Sequence, residues 1–134
     1  MIDQIGVSSS VHMGVGLVAL GVTLASFLAA ILFAVRKQPL PGWMKALFIG
    51  AQLVLMVQAL IGIKLLDQGS GFNQLYIHYI GGLAPLLFFV LMYWLPASDT
   101  LKKSRIASLV TGAAFVFAFM AFSIGSAYAG RVVG

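Results

Sequence analysis

The chain has 134 residues, of which 61% are hydrophobic and only 8% charged. Water-soluble domains carry roughly 25% charged residues, so water is the wrong solvent for most of this surface, and the length suits one domain spanning the whole chain. Eight Lys and Arg stand against three Asp and no Glu, giving a net charge of +5; Cys is absent, which excludes structural disulfides, thiolate metal sites and covalently attached c-type haem.

In chain order, the first ten residues hold Asp3 and no Lys or Arg, and the apolar run that follows ends only at Arg36 and Lys37. A cleavable signal peptide is therefore not expected, since it needs a positive start and a shorter apolar stretch. A spanning helix needs roughly twenty mostly apolar residues, and four stretches qualify. They run over residues 11–35, 44–66, 74–95 and 106–129. The connecting segments hold helix breakers: Gln38-Pro39-Leu40-Pro41-Gly42, then Asp67-Gln68-Gly69-Ser70-Gly71-Phe72-Asn73, then Pro96-Ala97-Ser98-Asp99. Linkers this short make successive helices antiparallel neighbours, so the expected fold is all-α, a transmembrane four-helix up-down-up-down bundle over residues 1–134. Trp43, Tyr76, Tyr93, Trp94 and Tyr128 lie near the predicted helix ends, where amphipathic rings anchor at the interface.

Charge placement gives the orientation. Arg36, Lys37 and Lys45 cluster around the first linker, and Lys102, Lys103 and Arg105 follow the third, whereas the other side holds only Lys64 and Arg131. By the positive-inside rule the first and third linkers are cytoplasmic and both termini are outside. The basic balance is thus a topology signal, and no nucleic-acid partner is expected. The expected location is a bilayer, as a multi-pass protein of a bacterial inner membrane.

The residues able to carry chemistry are few. His12 sits at the outer end of the first helix and His78 at the outer end of the third. Those helices run parallel and lie diagonally across a simple bundle, so the imidazoles are expected at similar depth, facing each other. Each histidine is followed four residues later by glycine, Gly16 and Gly82, and residues at that spacing share a helix face. Glycine there clears space below the ring for a flat macrocycle, and imidazole is a usual axial ligand of haem iron. The pattern suits a bis-histidine b-type haem, with Lys64 and Arg131 the basic side chains on the side of its propionates. Gln58 and Gly62 on the second helix repeat the four-residue spacing; Gln58 either bonds across helices or contacts a haem edge or a quinone. Glycine is also common where membrane helices pack closely, so the same residues suit a cofactor-free bundle. Two histidines are too few for a tight zinc site, which takes at least three protein ligands. None of Asp3, Asp67 and Asp99 lies mid-membrane, which argues against an ion-coupled transporter. No nucleophile, base and acid cluster marks a hydrolase.

The run Gln58-Ala59-Leu60-Ile61-Gly62, followed after a short outer loop by a helix bearing His78, resembles one half of the heme A synthase family. In that family each half is a four-helix bundle with a histidine at the outer end of two parallel helices. The resemblance spans the first three helices and implies His12 and His78 as axial ligands, with Gln58 and Gly62 as the intervening motif. This chain has half the family's usual length and no Glu or Asp near His78 to match its catalytic half. The expectation is therefore an electron-transferring membrane cytochrome b binding haem b through His12 and His78, rather than an independent enzyme. Its expected partners are a quinone and other subunits of a membrane complex. The alternative is a cofactor-free structural or assembly subunit of a respiratory or photosynthetic complex.

Overall fold

The computed structural model describes residues 6–69, 76–95 and 99–132, with side chains described as far as residue 129. Its regular structure is four helices: α1 (Ser9–Val35), α2 (Gly42–Asp67), α3 (Tyr76–Trp94) and α4 (Thr100–Val132). All four are long and apolar enough to cross a membrane. In hydrocarbon every backbone N–H and C=O must find a partner within the segment, which is why runs of this composition become helices. Large apolar side chains such as Leu17, Leu60 and Leu109 are 56%, 63% and 74% exposed. Outward faces this apolar are suited to lipid acyl chains, making this a multi-pass integral membrane protein.

The helix bounds match the sequence expectation closely for α1 and α2. Residues 74 and 75 of the third predicted helix lie outside the described residues. The main difference is α4, which starts at Thr100 rather than at residue 106. Asp99 explains it: its Oδ1 accepts a hydrogen bond from the Lys102 N–H at 2.6 Å, and its carbonyl from the Lys103 N–H at 3.1 Å. This is an N-cap, so the basic stretch Lys102–Arg105 forms a polar first turn of the helix rather than part of the linker.

α1 packs against α2 and α4, and α3 packs against the same two helices, leaving α1 and α3 across the bundle from each other. The up-down arrangement follows. On α1 the buried residues are Gly16, Ala19, Thr23, Ser26 and Ala30. On α4 they include Ser104, Ala107, Thr111, Ala114, Ala118 and Ala121. Both sets step alternately by three and four, the spacing of a left-handed seam. The buried hydroxyls return hydrogen bonds to their own helix: Thr23 to the Ala19 carbonyl, Ser26 to Val22 and Thr111 to Ala107. They therefore add no unpaired polar group to the seam. With so little side-chain bulk, α1 and α4 lie close together, as small residues allow in membranes.

The opposite side of the core holds the bulk. Met44, Phe48 and Leu55 of α2 and Phe89 of α3 are buried, and the Phe48 and Phe89 rings lie 6.1 Å apart. Gln52 ties the same helices by donating to the Tyr93 hydroxyl at 3.0 Å. Along α2, inward positions pass from Phe48 and Leu55 to Gln58 and Gly62; along α3, from Phe89 to Pro85 and Gly81. The core thus loses bulk toward the end of the bundle where α1 and α3 begin. At that end Gln68 closes a two-bond clamp, accepting from the Val7 N–H at 2.8 Å and donating to the Val7 carbonyl at 2.9 Å.

Ala114 is fully buried in the α1–α4 seam. Ala114→Leu is expected to lower stability by about 1–3 kcal/mol through overpacking. Leu109→Ala, on an exposed position, should change it by less than about 0.5 kcal/mol. Reversible unfolding in mixed detergent micelles measures both.

Candidate functional site

Where the core runs short of bulk, a cavity of about 400 Å³ opens between all four helices. Its walls include His12, Gly16 and Ala19 from α1, Gln58, Ala59 and Gly62 from α2, His78, Tyr79 and Gly82 from α3, and Ala121, Phe122 and Gly125 from α4. His12 lies in the first turns of α1 and His78 in the first turn of α3. Diagonal placement brings their rings together, with centroids 6.0 Å apart and planes inclined at 72°. The expectation that these two histidines face each other at similar depth holds.

Each ring is seated on a glycine of a neighbouring helix. A Cβ at Gly62 would stand 3.3 Å from His12 Cε1, and one at Gly125 only 2.7 Å from His78 Cε1. These, rather than the glycines on the histidines' own helices, make room for the imidazoles. Gly16 is buried and its clearing is taken by Gln58 and Phe122, whose Nε2 and Cδ2 would lie 3.0 and 3.4 Å from an added Cβ. Gly82 borders open cavity space, with nothing within 4 Å of an added Cβ.

The polar partners of the rings differ. The Nδ1–H of His78 donates to the Ala121 carbonyl at 2.7 Å. That bond leaves Nε2 as the nitrogen with a free lone pair. His12 has a side-chain partner instead: Gln58 Nε2 lies 3.4 Å from His12 Nε2. His12 Nδ1 and Gln58 Oε1 are buried without a hydrogen-bond partner among the described residues. Orphaned buried polar atoms are costly, at about 1–3 kcal/mol each, and are uncommon outside functional sites.

Gln58 thus joins the two histidines in the cavity. Lys64 does not: its ammonium pairs with Asp67 at 2.8 Å, and it is not among the cavity-lining residues. The Arg131 side chain lies outside the described ones. Gly125 and Phe122 are site residues that sequence reasoning missed. The available signal was the pair Ala121 and Gly125, four apart like Gln58 and Gly62, on the helix that follows the second histidine. Among the described residues no group of three or more His, Cys, Asp or Glu converges on a point. A scan against protein-family models and searches of curated proteins and of solved structures give no match to this chain.

Gly125→Ala is expected to push the His78 ring off its seat, break its bond to Ala121 and lower stability by about 1–2 kcal/mol. Gly82→Ala, with open space at its Cβ, should be neutral or slightly stabilising. Thermal unfolding of the two purified variants compares them directly.

Proposed function

We propose that this chain is a membrane b-type haem protein that transfers single electrons, with His12 and His78 as the residues that would hold the iron. The observation that carries the reading is the meeting of two imidazoles from diagonal helices inside a largely apolar cavity. Both rings line the same cavity, so their imidazoles are the groups that would hold a metal-centred cofactor there. The ring centroids lie 6.0 Å apart.

The donor set fits the group. Two imidazoles without a third protein ligand suit an ion whose remaining positions are filled by a macrocycle, as in haem. Ligating histidines characteristically donate their second ring N–H to a carbonyl or carboxylate, and His78 does so to Ala121. The cavity, at about 400 Å³, falls within the usual range of cofactor pockets, about 300–1,000 Å³. When bound, the haem iron would supply a reversible one-electron couple; the chain supplies ligands, an apolar surrounding and a position near one membrane face. A bioenergetic membrane such as the bacterial inner membrane, with a quinone and companion subunits, is the setting this reading implies. The resemblance of Gln58–Gly62 and the following histidine helix to half of a heme A synthase agrees with haem binding.

A second reading has its own observation. A separation of 6.0 Å at 72° also satisfies edge-to-face packing between two rings, which needs no metal. On that reading the bundle is a cofactor-free subunit of a larger membrane complex.

Purification from haem-replete membranes distinguishes the two. The expected result is a reduced-minus-oxidised spectrum of low-spin haem b, absent from the folded double variant His12→Ala/His78→Ala. A folded wild-type protein without colour would leave only the second reading.

A further inference from the structure

Resting on the haem reading above, the contrast between the two histidines carries a second step. His78 is held from behind by a backbone carbonyl of α4 at 2.7 Å. A helix carbonyl cannot reorient without unwinding its own turn, so this bond fixes both the tautomer and the direction of the ring. The ring is also wedged against Gly125, with no spare space where a Cβ would stand. His12 lacks the backbone bond, and its seat is less tight, with its Cε1 3.3 Å from where a Cβ at Gly62 would stand. Its partner is the amide of Gln58, a side chain with three rotatable torsions, at 3.4 Å, the long end of hydrogen bonding. Its Nδ1 has no partner among the described residues, so no second hydrogen bond holds the ring from behind.

We infer that His78 is the fixed ligand and His12 the exchangeable one, so that the α1–α2 side of the site can admit a small neutral diatomic ligand in place of the His12 imidazole. In that exchange the bond that His12 would make to the iron would give way to one from the incoming molecule. No electron or proton would be lost, and the released imidazole would turn to Gln58, whose Nε2 lies 3.4 Å from His12 Nε2 in this structure. The cavity beside it is predominantly apolar, lined there by Ala19, Leu55, Ala59 and Phe122, which suits an uncharged molecule.

Carbon monoxide is the probe, applied to detergent-purified protein reduced with dithionite. The expected wild-type result is a shifted Soret band on adding carbon monoxide. His12→Ala should keep near wild-type haem occupancy, become five-coordinate and high-spin, and bind carbon monoxide more tightly. His78→Ala should lose haem by about tenfold or more. His78→Gly with added imidazole should recover it, showing that the variant chain still folds. Gln58→Leu should lower the carbon monoxide affinity of the wild-type site several-fold, because the displaced ring loses its partner; a purely structural Gln58 would leave that affinity unmoved. Equal haem loss in the two histidine variants overturns the inference, as does a reduced wild-type spectrum indifferent to carbon monoxide. A colourless folded wild type would instead bring down the haem reading itself, and this inference with it.

Discussion

The close approach of α1 and α4 is the constraint on which the rest of the structure depends. Lipid offers no hydrophobic drive for helices to associate, so van der Waals contact must hold them together. Gly16, Ala19, Ala30, Ala107, Ala114 and Ala118 allow that contact by presenting almost no side chain. Once these helices are drawn together, α2 and α3 must fill the remaining space from the other side. They do so with Met44, Phe48, Leu55 and Phe89, but only along part of their length. The cavity is the region where neither pair supplies bulk.

Within that region the polar groups are few and consequential. An imidazole at membrane depth is a costly residue unless it is paired or used. His78 is paired through Ala121, whereas His12 and Gln58 between them leave a ring nitrogen and an amide oxygen without a partner among the described residues. The energetic tension of the bundle is therefore concentrated on one side of one cavity, while the hydroxyls of the α1–α4 seam are all turned back on their own backbones.

Much of the fold was legible in the sequence because hydropathy and breaker residues act locally. The four spans, their antiparallel order and the diagonal relation of the histidine helices needed no more than run lengths and linkers. The start of α4 was missed because Lys102, Lys103 and Arg105 read as linker, while the deciding feature was a single capping carboxylate, Asp99. The site was legible only in part. His12, His78 and Gln58 stood out because polar residues are rare in these runs. Which glycines seat the rings was not readable: Gly62 and Gly125 act across helix interfaces, and that depends on rotation of each helix about its axis. The pairing of Lys64 with Asp67 follows from their spacing of three, and Lys64 is not among the cavity-lining residues.

The seating of each ring on a neighbour's glycine divides the site along the chain. His12, Gln58 and Gly62 all belong to the first helical hairpin; His78, Ala121 and Gly125 all belong to the second. Each hairpin carries one ring and the glycine that seats it, but neither half contains both imidazoles. The cavity exists only after the hairpins dock along α1–α4 and α2–α3. Anything that requires both rings therefore depends on the docking of the two hairpins and not on either one alone.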